Sequence, residues 1–259
     1  MPQDVVVSTT DMADGVVLTD KPKGITSFDV IRVLRRRMGP AKKIGHAGTL
    51  DPNATGLLII GVGEGTKRLH EIAGLPKTYV MEILLGIRTD TGDIEGMIVE
   101  QGSAGDITTD AVENILKEMI GAIALPIPAY SALKVRGKPR YDYARKGIAI
   151  EPKIRTMEIR ALTLLGVVAE KGARPALKVE MDCASGTYAR SVAEEIGRRL
   201  WVPATVRELR RTRIGAYRVE DAEHLTNEEK KAMMERLRQR RAGAGTTRAS
   251  LWPVPAHPS

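Results

Sequence analysis

The chain has 259 residues, of which 42 % are hydrophobic, so it can bury about three quarters of the surface of its unfolded state. It has no stretch of about 18 apolar residues, and its start lacks the basic and apolar segments of a secretion signal, which argues against a membrane span and predicts a cytoplasmic location. The single cysteine, Cys183, excludes an internal disulfide and a cysteine-rich metal site, and the formal charge of +8 favours a polyanionic partner.

The first predicted elements are a short apolar strand and a helix, joined by a turn that contains proline and glycine. Thr26 or Ser27 can cap the helix, which is predicted over residues 28–38. Lys21 and Lys23 lie in the turn, beside the start of the helix, where a phosphate could dock. This turn is therefore a candidate binding segment.

Residues 45–56 combine three glycines with Pro52 and a single acid, Asp51. Pro52 favours an extended conformation at Asp51, and the apolar run at 57–60 predicts a buried strand directly after the loop. A lone carboxylate on a stiff loop that leads into the core fits a catalytic acid. Two alternatives stay open: Asp51 caps a short helix that begins at Pro52, or it only forms a turn.

The next two segments, 61–67 and 88–96, resemble nucleotide and calcium sites only superficially. The first fails the dinucleotide pattern, because Thr66 stands where the third glycine belongs, and it reverses the order that a P-loop needs. A helix over residues 66–73 fits this part of the chain better. The second segment lacks the alternating acids and the closing glutamate of a calcium loop, which favours a hairpin turn.

Strands and helices alternate through the following part of the chain. Strands are predicted over residues 79–86, 157–168 and 176–183, and helices over residues 109–119 and 189–200. Tyr79 begins the first of these strands, where a tyrosine more often packs than reacts. Arg190 lies beside Tyr188 in the first turn of the last helix, where the dipole disfavours a cation. This suggests a compensating carboxylate, and an exposed arginine without a role is the alternative.

Two basic segments follow different patterns. Residues 129–155 carry eight basic side chains, three tyrosines and only two acids. Positive charge mixed with aromatic rings is typical of a surface that contacts single-stranded or loop RNA, and a solvated loop is the alternative. We interpret the second segment, residues 206–214, as the end of the regular fold. A helix is predicted over residues 226–237, followed by a disordered basic tail that includes Arg248.

Six motifs, in the same order, resemble those of the TruB family, the bacterial tRNA pseudouridine-55 synthases. They are DKPKGITS at 20–27, GHAGTLDPNATG at 45–56, KTY at 77–79, RTDT at 88–91, SALK at 131–134 and GTYAR at 186–190. The match runs from about residue 15 to residue 221. Each motif alone would be weak evidence, and the six together are specific.

The resemblance implies an α/β fold of the α+β type, with a central, mostly antiparallel mixed sheet that is flanked by helices. It implies that the chain isomerises one uridine in the T-loop of tRNA to pseudouridine, with an aspartate as nucleophile on a flipped-out base. It implies no cofactor, no metal and no obligate protein partner, and we expect a monomer. One alternative is a non-catalytic module that binds or folds tRNA, and another is guide-directed modification of ribosomal RNA.

The resemblance also implies roles for individual residues. Asp51 matches the catalytic aspartate, Tyr79 the ring that stacks on the flipped uracil, and Arg190 the partner that holds the aspartate. His46 matches a histidine that fills the gap left in the T-loop, and Leu209 matches an apolar residue of the pocket. The predicted substrate-binding set is completed by Lys21, Lys23, Tyr188 and Lys134.

Three regions are expected along the chain. Residues 1–14 are predicted to be flexible, and residues 15–225 to form the catalytic domain, with an inserted RNA-contacting segment at about 125–155. Residues 226–259 are predicted to form a helix and a basic tail. Many members of the resembled family carry a PUA module for RNA binding at this point, and too few residues follow for that module in full, so we expect a stand-alone enzyme.

Overall fold

The structure, a computed structural model, describes residues 14–39, 42–105, 107–135, 137–148, 150–168 and 174–243. Predictions for residues 1–13, for the tail from residue 244 onward and for Arg136 concern residues outside these ranges. The chain divides into two compact units, one that ends at His224 and one that begins at Leu225. The domain roles predicted from the sequence stay predictions.

Strands outnumber helices in the described part of the first unit. The strands are β1 (Gly15–Lys21), β2 (Ile44–Ala47), β3 (Thr55–Val62), β4 (Lys77–Leu85), β5 (Ile87–Thr89), β6 (Ile98–Gln101), β7 (Gly121–Pro126), β8 (Lys134–Val135), β9 (Lys138–Pro139), β10 (Ile154–Val168), β11 (Ala176–Cys183), β12 (Ala204–Ile214), β13 (Tyr217–Arg218) and β14 (Glu223–His224). The helices are α1 (Ser27–Met38), α2 (Leu69–Gly74), α3 (Thr109–Glu118), α4 (Arg140–Arg145), α5 (Ala189–Arg199) and α6 (Asn227–Gly243), with short 3₁₀ helices at Gly63–Arg68 and Val219–Asp221.

One sheet of ten strands organises the first unit. Its main order is β14-β1-β3-β12-β4-β11-β10-β7, with β2 beside β3 and β13 beside β12. Two of the pairs described in this sheet are parallel, β1 with β14 and β12 with β3. The pairs along the rest of the sheet are antiparallel. The expected mostly antiparallel mixed sheet with flanking helices is confirmed.

The basic segment 206–214 belongs to β12, which lies inside the sheet between β3 and β4. Its interpretation as the end of the regular fold is therefore wrong. Three of its arginines form ion pairs with acids of other strands at 2.8–3.1 Å: Arg207 with Glu82, Arg210 with Asp20, and Arg213 with Asp182. Because these acids are distant in the sequence, the charge of the segment alone made it look like an exposed end.

Local chemistry explains several elements that the sequence predicts. The Thr26 hydroxyl accepts a hydrogen bond from the Asp29 N–H, and the Asp29 carboxylate accepts one from the Thr26 N–H, so a capping box starts α1. The apolar run 57–60 is fully buried in β3, as predicted. Cys183 packs in the core, where burial raises the pKa of its thiol to about 11, as expected of a residue without a nucleophilic role.

Three smaller predictions are confirmed with shifted limits. The helix expected over 66–73 is split between the first 3₁₀ helix and α2. The hairpin turn expected over 88–96 begins after Thr89, between β5 and β6, and in it the Asp93 carboxylate accepts a hydrogen bond from the Glu95 N–H at 3.1 Å. In the second unit, α6 runs six residues beyond the predicted end at 237, to Gly243. None of the helices that the structure describes has both the length and the apolarity to cross a bilayer.

Candidate active site

The loop between β2 and β3 presents Asp51, and the start of α1 holds this loop in place. The Ser27 hydroxyl accepts a hydrogen bond from the Leu50 N–H at 2.9 Å. The Ala54 N–H donates to the Asp51 carbonyl at 3.1 Å, which closes a turn rather than beginning a helix. The alternative in which Asp51 caps a helix is therefore excluded, and its carboxylate is available to another partner.

Lys21 also stabilises the loop that carries Asp51, through hydrogen bonds to backbone carbonyls. Its side chain is fully buried, and Nζ donates to the carbonyls of Pro22 at 3.0 Å, Ile25 at 2.8 Å and Pro52 at 3.3 Å. Burial lowers the pKa of Lys21 to about 8. An ammonium group has three donors, so none is left for a phosphate. The structure does not bring Lys21 to the surface, where the predicted contact with substrate would need it.

Replacing Lys21 by methionine is expected to lower the free energy of unfolding by about 2–4 kcal/mol, because several carbonyls lose their donor. Urea unfolding measures this difference. Lys23→Met is the matched control, since Lys23 is exposed, lies 3.7 Å from Glu208 and should change stability by less than about 0.5 kcal/mol. Equal stability of the two variants would contradict the role of Lys21 in stabilising this loop.

Arg190 meets Asp51 across the site. Its Nε lies 2.9 Å from Asp51 Oδ2, and its side chain is only 7 % exposed. Nη1 donates to the Thr91 carbonyl at 2.6 Å and Nη2 to the Tyr130 carbonyl at 2.8 Å. The guanidinium is thus fixed on three sides. The carboxylate that the sequence suggests for this first-turn arginine is Asp51.

Tyr79 lies on β4, on the same face as Met81, and is 9 % exposed. Burial raises the pKa of Tyr79, and the nearby Arg211 guanidinium opposes part of this rise. The hydroxyl is therefore protonated at neutral pH. Tyr79 lines the same cavity as Asp51.

This cavity has a volume of about 260 Å³. Five of the predicted site residues line it: Asp51, Tyr79, Tyr188, Arg190 and Leu209. The carboxylate, the phenol ring and the guanidinium therefore meet at one place, which their positions in the sequence did not require. The roles predicted for these residues stay predictions.

Three other predicted residues do not line the cavity. His46 is half-buried on β2, where burial lowers its pKa, and Nδ1 has no hydrogen-bond partner among the described residues. Lys23 and Lys134 are exposed, the first in the turn after β1 and the second on β8. If they contact substrate, they do so outside the cavity.

Sequence reasoning missed two cations that line the cavity, Arg211 and Lys77. Arg211 is 1 % exposed on β12, two residues after Leu209. Alternation along a strand would have placed Arg211 on the same face as Leu209. The Lys77 Nζ donates to the carbonyls of Ala73 and Leu75, and burial lowers the pKa of Lys77 to about 8. Within the described ranges, no three acidic, histidine or cysteine side chains are grouped to hold a metal.

Residues 35–189 match the model of the TruB family pseudouridylate synthase (N terminal domain). The tRNA pseudouridine synthase B of Aromatoleum aromaticum is 43 % identical over 215 residues, which cover 83 % of this chain and 68 % of the relative. The protein of the same name from Desulfotalea psychrophila is 40 % identical over 213 residues, with coverages of 82 % and 86 %.

Two solved structures have a similar fold. An H/ACA RNP bound to a substrate RNA containing 2′-deoxyuridine includes a chain with 23 % identity and a TM-score of 0.60, and the match covers 86 % of this chain and 55 % of that one. A Cbf5-Nop10-Gar1 complex includes a chain with 24 % identity and a TM-score of 0.64, with coverages of 92 % and 62 %. This chain thus spans between half and two thirds of the length of these solved chains.

Proposed function

This chain belongs to the TruB family of pseudouridylate synthases, and we propose that it converts one uridine in the T-loop of tRNA into pseudouridine. The relatives named above are tRNA pseudouridine synthases B, which supports tRNA as the substrate. The observation that carries the proposal is the 2.9 Å contact between Asp51 and Arg190 in a cavity walled by Tyr79 and Leu209. Choice of the T-loop rests on the family resemblance of the motifs.

The reaction breaks the bond between C1′ of the ribose and N1 of uracil, turns the base, and joins C1′ to C5. A proton leaves C5 and N1 gains one, so the overall change is an isomerisation. In our proposal Asp51 is the nucleophile that makes this exchange possible. Arg190 engages Oδ2, and in our proposal Oδ1 is the oxygen that attacks the flipped-out nucleotide.

Tyr79 and Leu209 supply the surface for the base. An aromatic ring and an apolar side chain repay part of the energy needed to take the uridine out of its stack. Because burial raises the pKa of Tyr79, its hydroxyl carries a proton at neutral pH. We propose that its oxygen accepts the C5 proton while its own proton goes to N1 of the turned base, so that the hydroxyl ends as it began. The apolar wall also keeps water from the detached base.

Incubation of the purified chain with an unmodified tRNA transcript tests the proposed function. Mapping of the product is expected to find one new pseudouridine, in the T-loop. Product formation on a bare transcript also excludes a requirement for a guide RNA. Binding of the transcript without any new pseudouridine would favour the non-catalytic tRNA-binding module.

The hairpin β8–β9 offers two exposed lysines, Lys134 and Lys138, to the RNA backbone. If both contact phosphates, replacing them by glutamine should reduce the slope of log binding constant against log salt by about 1.4–1.8. Titration of tRNA binding at several salt concentrations measures the slope. Lys117→Gln, an exposed position on α3, is the control. A double variant with the wild-type slope would show that these lysines only face solvent.

A further inference from the structure

Arg211 is a buried cation whose charge no acid of the described residues neutralises by an ion pair. Its Nε donates to the Leu57 carbonyl at 2.8 Å, and Nη2 donates to the Gly48 carbonyl at 3.0 Å. A buried charge without a counter-ion is costly, and an apolar side chain could fill the same space. Its presence beside the cavity therefore needs an explanation beyond packing.

Two other arginines of β12, unlike Arg211, form ion pairs with carboxylates. Arg210 pairs with Asp20 at 2.8 Å, and Arg213 pairs with Asp182 at 3.1 Å. These two side chains are 41 % and 48 % exposed, whereas Arg211 is 1 % exposed. The strand thus carries paired arginines toward solvent and one without a carboxylate partner toward the site.

Arg211 contacts both ends of the loop that carries Asp51. At the first end, Nη2 holds the carbonyl of Gly48, a residue whose φ of +74° favours glycine. At the second end, Gly56 pairs in parallel with Arg211 itself, so closely that a Cβ on Gly56 would lie 2.2 Å from the Arg211 carbonyl oxygen. Movement of Arg211 would therefore move the loop at both ends.

The charge of Arg211 also reaches the groups around the cavity. Burial lowers the pKa values of Lys77 and His46, and the Arg211 charge lowers both further. The same charge offsets part of the rise that burial causes in the pKa of Tyr79. Arg211 therefore acts electrostatically on Lys77 and Tyr79, which line the cavity, and on His46, which lies outside it.

We propose that Arg211 is a positioning residue: its guanidinium bridges the Leu57 and Gly48 carbonyls and thereby holds the loop of residues 48–56 so that Asp51 points at the substrate. This inference rests on the proposed function. Arg190 fixes the carboxylate itself, from α5. Arg211 fixes the backbone that carries it, from β12.

Two variants test this role, Arg211→Met and Arg211→Lys. The lysine variant keeps the charge, which protects folding, and cannot bridge both carbonyls. We expect the single-turnover rate of pseudouridine formation to fall about 100-fold in each, since small displacements of a catalytic group have effects of this size. The tRNA dissociation constant should stay at the wild-type value, because only 1 % of Arg211 is exposed at the cavity wall, which leaves little surface for contact with the RNA.

Arg213→Met is the matched control, on the same strand with its side chain toward solvent, and should keep the wild-type rate. Amide hydrogen exchange gives a second measurement that does not depend on activity. Exchange across residues 48–54 should be about fivefold faster in Arg211→Lys, the effect of one lost hydrogen bond, and unchanged in Arg213→Met.

A wild-type rate in Arg211→Lys, or equal losses of rate and tRNA affinity, would overturn the positioning role. Unchanged exchange in the loop would overturn it as well. Absence of pseudouridine formation by the wild-type chain would instead contradict the proposed function, and the exchange measurement would still decide whether Arg211 holds the loop.

Discussion

Replacement of Asp51 by asparagine is expected to reduce the rate of pseudouridine formation by at least about 10⁴-fold, because removal of a central catalytic residue has effects of this size. Asparagine keeps the shape of the side chain and removes its negative charge and its nucleophilic oxygen. The turn closed by the Ala54 N–H involves only backbone, so the loop should keep its form. Single-turnover assays on a tRNA transcript measure the rate.

Binding of tRNA by Asp51→Asn should remain close to wild type, because one small side chain of the cavity lining contributes little to the contact with the RNA backbone. Asp110→Asn, in the exposed first turn of α3, is the control for the chemical change itself. Turnover by Asp51→Asn at a rate near wild type would remove the nucleophile from the proposal and favour the non-catalytic alternative.

The second large effect is expected at Arg190. Arg190→Met removes the partner of Asp51 and leaves the Thr91 and Tyr130 carbonyls without a donor. The rate of pseudouridine formation should fall by about 10²-fold or more, because the Asp51 carboxylate is no longer held in its orientation. The free energy of unfolding should fall by about 2–4 kcal/mol, because three partly buried polar groups lose their partner together.

Arg190→Lys separates charge from geometry in this prediction. It keeps a cation near Asp51 and cannot reach the carboxylate and both carbonyls together. We expect a rate between those of wild type and Arg190→Met. Arg199→Lys, on the same helix and paired with Glu195 at 2.8 Å, is the control. If Arg190→Lys matches wild type, the fixed guanidinium geometry has no catalytic importance.

Short-range patterns were the part of the fold that could be predicted. The capping box at Thr26, the apolar run at 57–60 and the alternation from Tyr79 onward each depend on neighbours in the sequence. Arg190 is an intermediate case. A cation in the first turn of a helix suggested a carboxylate partner, and the family motifs pointed to Asp51, while the distance between them needed the structure.

The features that could not be predicted depend on contacts between residues that are far apart in the sequence. Lys21 looked like a phosphate contact because its proline and glycine turn lies beside the start of a helix, and its acceptors include the Pro52 carbonyl, 31 positions further along the chain. The basic run in β12 looked like the end of the regular fold because the acids that pair with its arginines belong to other strands. The same run hid Arg211, whose inward position depends on where β12 joins the sheet.

The position of β12 also affects how the chain folds during its synthesis. β3 and β4 follow one another in the chain, yet the strand between them is made more than a hundred residues after β3 ends. During synthesis, β3 and β4 therefore leave the ribosome with one unpaired edge each, long before β12 is available to pair with both. Pairing between strands that are far apart in the sequence is also slow. Leu209 and Arg211 arrive with that piece, so a nascent chain should have no pocket for a nucleotide until its sheet closes.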